Sequence, residues 1–212
     1  MSVARLQESI RRSKTPVALV LGPDEAQLHP KYLKSFTDMY GDCPMAHAEA
    51  LRLHGSQAIG AAAGKLPAVL LRAEPYLAQG FMGMDVLANL VNMAKAQGLY
   101  TIVDARTAFP EVYVEGGIRA DGVTVTPYPG SDVCRVGEDK SVFAAVRTVS
   151  PSAPELQNLL SGDRRLYLAA ADAVVAAAAD AAAPMTAAAD AAEAADADIT
   201  ERNDPPKQSK AL

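Results

Sequence analysis

Five short apolar runs, each closed by turn-forming residues and separated from the next by helical periodicity, limit this chain to a few architectures. They lie at 17–21, 68–71, 99–103, 122–126 and 142–146. Their brevity and β-branched content predict strands, and the first, ended by Gly22-Pro23-Asp24, reads as a strand buried on both faces. Helical spacing predicts helices over 3–13, 30–40, 44–64 and 84–97, with a short one over 154–160. In the first, Val3, Leu6 and Ile10 form the apolar stripe; in the fourth, Val86, Leu87, Leu90, Val91 and Ala94 do so before Gly98 ends it. Alternating strands and helices predict an α/β fold with a mostly parallel sheet.

A chain of 212 residues with 50% hydrophobic content can build one principal domain. Its net charge of -5 supplies no broad basic surface, so neither nucleic acid nor a membrane surface is an expected partner. The stretch 1–14 reads as a polar helix rather than an export signal, and no apolar run reaches membrane-spanning length. The expected location is the cytoplasm. Cys43 and Cys134 are far apart and outside any CxxC spacing, so they read as isolated structural thiols. His47 and His54 would share a helix face, but no thiol or carboxylate stands at ligand spacing beside them; no metal is expected.

The segment 1–168 is expected to form the α/β domain, and the composition changes at Ala169. From there to 199 alanines are broken by regularly placed Asp and Glu and by Pro184, and 200–212 is polar. Alanine favours helix but buries little apolar area, so a loosely docked or independent helix is expected, followed by a disordered tail.

In parallel α/β folds, polar residues just after strands build the sites, which directs attention to 22–24, 72–74, 104–109, 126–132 and 147–152. Several of these stretches carry a family resemblance. The segment 99–107, followed by Ala120-Asp-Gly-Val-Thr-Val-Thr-Pro-Tyr-Pro-Gly-Ser-Asp132, resembles orotidine 5'-phosphate decarboxylase, in its longer bacterial branch. The likeness extends through Arg5-Leu6-Gln7, 30–33, Leu66-Pro-Ala-Val69, 95–100, Val146-Arg-Thr-Val-Ser-Pro-Ser152 and Glu155-Leu-Gln157, covering about residues 1 to 168. It implies a (β/α)8 TIM-barrel fold and a cofactor-free reaction of pyrimidine biosynthesis, orotidine monophosphate to uridine monophosphate.

The family reaction uses alternating lysines and aspartates: a carboxylate presses on the substrate carboxylate, and a lysine ammonium protonates the carbon left behind. Against the family motif Asp-x-Lys-x-x-Asp this chain has Asp104-Ala-Arg106-Thr-Ala-Phe109. A guanidinium, with a pKa above roughly 12, is a poor proton donor at neutral pH, and Phe109 carries no charge. The family's preceding lysine falls at Leu70 and the aspartate of its first strand turn at Gly22, with Asp24 two places later as a turn or cap residue. A complete barrel takes about 250 residues, and no run here suggests the last strands or their phosphate site.

The resemblance therefore implies a degenerate, C-terminally truncated homologue: an incomplete barrel of about five strands, a decarboxylase (a carbon-carbon lyase) by family and a pseudoenzyme by residue content. Asp104 and Arg106 are the residual catalytic candidates, expected to pair with each other. Thr126, Tyr128 and Ser150 are the substrate-binding candidates, with Thr148, Val149 and Ser131 nearby. The expected ligand is a pyrimidine nucleotide. A second expectation is a binding or scaffold protein that covers its open sheet edge with a partner protein or, as a homodimer, with a second copy.

Overall fold

The computed structural model describes residues 2–23 and 27–182. Asp24, Pro184, the polar tail 200–212 and most of the alanine-rich stretch lie outside the described residues.

Helix α1 (Ser2–Ser13) precedes strand β1 (Ala18–Leu21). Helices α2 (Pro30–Tyr40) and α3 (Pro44–Ala62) both begin at a proline, whose missing N–H costs nothing in a first turn. The imidazole of His29 accepts from the Lys31 amide at the start of α2. Strand β2 (Ala68–Arg72) leads into the short α4 (Glu74–Leu77) and then α5 (Gly80–Ala96). Strand β3 (Tyr100–Thr107), α6 (Glu111–Val114), β4 (Gly122–Val125), a 3-10 turn at Ser131–Cys134 and β5 (Ser141–Ala144) follow. The described chain closes with α7 (Ala153–Gln157), a hairpin of β6 (Leu160–Ser161) and β7 (Arg164–Arg165), and α8 (Leu166–Ala182).

Strands β1 to β5 form one sheet in chain order, and every pair in it is parallel. This is the α/β architecture that the periodicities predict. It resembles five consecutive strands of a (β/α)8 barrel. Side chains alternate across the strands. One face sends Val69, Leu71, Val103, Val123 and Val125 into the main core with Leu51, Ile59, Leu87, Leu90 and Val91 of α3 and α5. The other gathers Ala68, Tyr100 and Ile102 with Leu70, Phe143 and Leu6 of α1 into a smaller cluster. That second face corresponds to the inside of a barrel.

Packing between α4 and α5 depends on a missing side chain: a Cβ on Gly83 would lie 1.9 Å from the Tyr76 carbonyl oxygen. Tyr76 itself is fully buried, which pushes its hydroxyl up from the ordinary tyrosine range.

Several expectations need correction. Strand β1 is not buried on both faces: Ala18 is exposed and Val20 is 61% exposed. It is the first strand of the sheet, paired by β2 alone among the described residues, so its inner face has no neighbouring wall. Strand β3 continues four residues beyond Val103, drawn on by its pairing with β4. The helix expected over 154–160 ends at Gln157, because Leu160 and Ser161 pair with Arg165 and Arg164 around Gly162, whose φ of 68° makes the turn. Helix α5 starts four residues before Met84, and α4 and α6 were not anticipated. Helix α8 begins at Leu166 and so crosses the expected change at 169; it lies against the Ser131–Cys134 turn and buries Ala177. Cys43 and Cys134 are both free thiols. His47 bonds to the exposed Asp42 at 2.7 Å. Among the described residues no three His, Cys, Asp or Glu side chains gather at metal-binding distance, and no helix is long and apolar enough to cross a membrane.

Candidate functional site at the strand tips

Because β1 to β5 are parallel, their C-terminal ends share one edge of the sheet, and the polar residues that follow them converge there. Asp104 and Arg106 belong to the end of β3. Arg106 Nε stands 3.5 Å from Asp104 Oδ1, with the aspartate side chain 15% exposed and the arginine 57%. The neighbouring β4 supplies Thr124, whose hydroxyl donates to Asp104 Oδ1 at 2.6 Å and accepts from the Ala105 and Arg106 amides at 3.0 Å each.

These bonds form around a bulge. Val103 pairs with Val123, but Thr107 pairs with Val125, so β3 holds two residues more than β4 over this interval. Arg106 takes up the excess with a φ of 44°, a left-handed conformation that costs a non-glycine residue roughly 1–2 kcal/mol. The extension of β3 thus places an arginine at the tip under local strain.

Strand β2 adds a cation that residue matching missed. The family lysine was placed at Leu70, which packs on the inner wall. Two residues on, and therefore on the same face, Arg72 pairs in register with Asp104. Its Nη1 donates to the Gly22 carbonyl at 3.4 Å, and its Nε lies 3.8 Å from Glu74 Oε2. Gly22 is required there: its φ is 111°, and a Cβ would come within 2.8 Å of the Arg72 Cβ. The period of two from Leu70 was the signal that could have found Arg72. The ends of β2 and β3 therefore carry two arginines, Asp104 and Glu74, while none of the stretches 22–24, 72–74, 104–109, 126–132 and 147–152 contains a lysine.

The substrate-binding candidates do not join this group through any bond. Thr126 donates its amide to the Thr107 carbonyl at 3.2 Å, which keeps it beside β3. The Tyr128 hydroxyl donates to the Val146 carbonyl at 2.6 Å and ties the loop after β4 to the one after β5; burial pushes its pKa up. Ser150 is exposed and pairs with Ser152. Its neighbour Thr148 is held from both sides by Gln157, amide to Oε1 at 2.9 Å and Nε2 to Oγ1 at 3.1 Å. Val149 is fully exposed, and so, at 65%, is most of Phe109. The Ser131 turn is covered by α8 instead.

The tips form an open surface rather than an enclosed cavity. A hollow of about 230 Å³ lies to one side, between Pro23, Leu28, His47, Glu74 and Gln79. Another, of about 320 Å³, lies below the opposite edge between Arg5, Arg12, Lys95 and Tyr100. Neither is lined by Asp104, Arg106, Thr126, Tyr128 or Ser150. What the tips offer chemically is a carboxylate acceptor beside the Arg106 guanidinium, with the Arg72 guanidinium near Glu74 on the next strand, and no side chain in this group suited to release a proton near neutral pH.

No protein-family model and no curated protein matches the sequence. Solved structures do. Orotidine 5'-monophosphate decarboxylase from Plasmodium berghei superposes with a TM-score of 0.64 at 16% identity, over 84% of this chain and 71% of that one. This chain has the orotidine monophosphate decarboxylase fold. The decarboxylase of Leishmania donovani matches at 24% identity and a TM-score of 0.60, over 81% of this chain and 63% of its own. The UMP synthase of the same organism matches at 22% and 0.62, over 80% of this chain and 35% of its own. In that fold, the tips of β2, β3 and β4 described above occupy the C-terminal end of barrel strands, the end at which such barrels carry their sites.

Proposed function

We propose that this chain is an orotidine 5'-phosphate decarboxylase homologue that binds a pyrimidine nucleotide at the strand tips and has lost most of its decarboxylation capacity. The observation that carries the reading is the Asp104, Thr124 and Arg106 group, which keeps one charged member of the family array and replaces the proton-donating lysine by a guanidinium. Phe109, at the place of the second aspartate, is neutral and faces solvent. Asp104 and Arg106 are the residual members of the array, and Thr126, Tyr128 and Ser150 belong to the nucleotide surface. The reading needs no metal or cofactor, and it places the protein in the cytoplasm beside pyrimidine biosynthesis. Calorimetric titration with uridine monophosphate should give a saturable heat, weakened about tenfold by Asp104→Ala. No saturable heat at millimolar nucleotide would sink the proposal.

A second reading is favoured by the apolar exposure at and just before β1, where Val17 is 55% and Val20 61% exposed beside a strand edge that is unpaired among the described residues. In it the chain is a binding or scaffold protein whose open barrel wall is closed by a second copy or another protein. Sedimentation separates the two. A stable monomer at tens of micromolar counts against association, whereas a dimer dispersed by Val20→Lys supports it.

A further inference from the structure

A threonine hydroxyl has one proton to donate and two lone pairs to offer. Thr124 uses all three, because its Oγ1 accepts from the Ala105 and Arg106 amides and lies 2.6 Å from Asp104 Oδ1. With both lone pairs turned to amides, the proton is left for Asp104, and Oδ1 must be its acceptor. Arg106 Nε approaches the same oxygen. Oδ1 is thus served from two sides, while among the described residues no hydrogen bond reaches Oδ2.

The same hydroxyl holds the bulge. The two amides it accepts belong to the residues that β3 carries in excess of β4, and one of them, Arg106, has the left-handed backbone. Residues held in such rare conformations gather where surrounding bonds over-determine them, often at ligand sites. Here the over-determining group is a single side chain on the next strand.

We infer that Thr124 is the positioning residue of this site. It fixes the Asp104 carboxylate as a hydrogen-bond acceptor through Oδ2. The ligand group met there is a donor, a hydroxyl or ring N–H of the nucleotide, rather than a carboxylate. This inference rests on the nucleotide-binding reading and adds the residue that sets the polarity of the contact.

Thr124→Val keeps the shape and removes the hydroxyl, and Thr124→Ser restores it. In the full chain without ligand, Thr124→Val should speed hydrogen exchange of the Ala105 and Arg106 amides about tenfold or more, and Thr124→Ser should not. In calorimetry with uridine monophosphate, Thr124→Val should weaken binding about tenfold, as Asp104→Ala does. The double variant should bind no more weakly than Asp104→Ala alone, because the two groups act as one unit. Orotidine monophosphate, which adds a carboxylate, should bind no tighter than uridine monophosphate.

A purely structural threonine would change exchange and leave affinity alone, which overturns the inference. So would losses that multiply in the double variant, or a clear preference for the carboxylated nucleotide. If uridine monophosphate binds normally while exchange is unchanged in Thr124→Val, Thr124 alone is removed from the site. If the unaltered protein binds neither nucleotide, the nucleotide reading falls and this inference with it.

Discussion

Purified protein mixed with orotidine 5'-phosphate is expected to leave the nucleotide's absorbance falling no faster than in a buffer blank. A positioned proton donor contributes about 10²–10⁴-fold to a rate, and an electrostatic partner aimed at developing charge about 10²–10³-fold. The proposed reading has both changed, with Arg106 in place of the lysine and Phe109 in place of the second aspartate. Arginine keeps the charge, yet its pKa above roughly 12 makes transfer of a proton to carbon unfavourable at neutral pH. Arg72 adds a further cation beside Asp104 but no better donor. The double replacement Arg106→Lys with Phe109→Asp restores two of the four array positions that this reading counts as changed and leaves Leu70 and Gly22 neutral, so turnover should stay at the blank. Turnover by the unaltered protein that Asp104→Ala abolishes would overturn the loss of activity.

The second large effect concerns the opposite edge of the sheet and stability rather than chemistry. Asp121 precedes β4, and its side chain is only 3% exposed. Its Oδ2 accepts from the Thr101 amide and hydroxyl at 2.9 Å each, while Oδ1 lies 2.5 Å from Arg5 of α1 and 3.2 Å from Lys95 of α5. Arg5 also lies over the Tyr100 ring, 5.3 Å from its centroid. One carboxylate therefore fastens two helices to the base of β3 and β4. Asp121→Ala should cost about 3 kcal/mol, since it leaves the buried Thr101 amide without its acceptor and removes the carboxylate that Arg5 and Lys95 share, and should lower Tm by about 10 °C.

The pH dependence of that clamp has a definite sign. Burial alone would raise the Asp121 pKa, but the hydrogen bonds from Thr101 and Arg5 and the arginine charge outweigh it and hold the carboxyl below its ordinary value. Its stabilisation is complete above the ordinary aspartate pKa and disappears as pH falls through the lower, folded value. Urea midpoints measured from about pH 5 down to pH 2 should therefore fall more steeply for the unaltered protein than for Asp121→Asn. Parallel curves would mean that other carboxylates control the acid limb.

Much of this molecule was legible in its residues. The runs at 68–71, 99–103 and 122–126 became β2, β3 and β4, because a parallel strand covered on its outer face by helices needs continuous Val, Leu and Ile. The helices at 30–40 and 44–64 were marked by Pro30, Pro44 and Gly64, residues whose backbone limits act locally. Asp104 and Arg106 were singled out because they close an apolar run and match a motif in part, and the structure pairs them at the end of β3. Thr126, Tyr128 and Ser150 were named on resemblance, and their bonds run to Thr107, Val146 and Ser152 rather than to the Asp104 group.

What lay beyond the residues alone were the relations between strands. Strand periodicity and turn chemistry are written in neighbouring residues, so the order of elements and the polar content of their ends follow from the sequence itself. Register is set by pairing across space. It brought Arg72 beside Asp104, inserted the bulge that turns Arg106 left-handed, and made Thr124 the residue that bonds Asp104 and the Arg106 amide together. The exposure of β1 likewise depends on which strands stand next to it, not on Ala18-Leu-Val-Leu21, whose apolar residues would suit a strand with neighbours on both sides. Asp121 shows the same division: in the sequence it is one residue of the 120–132 stretch, and only the approach of α1 and α5 makes it a clamp.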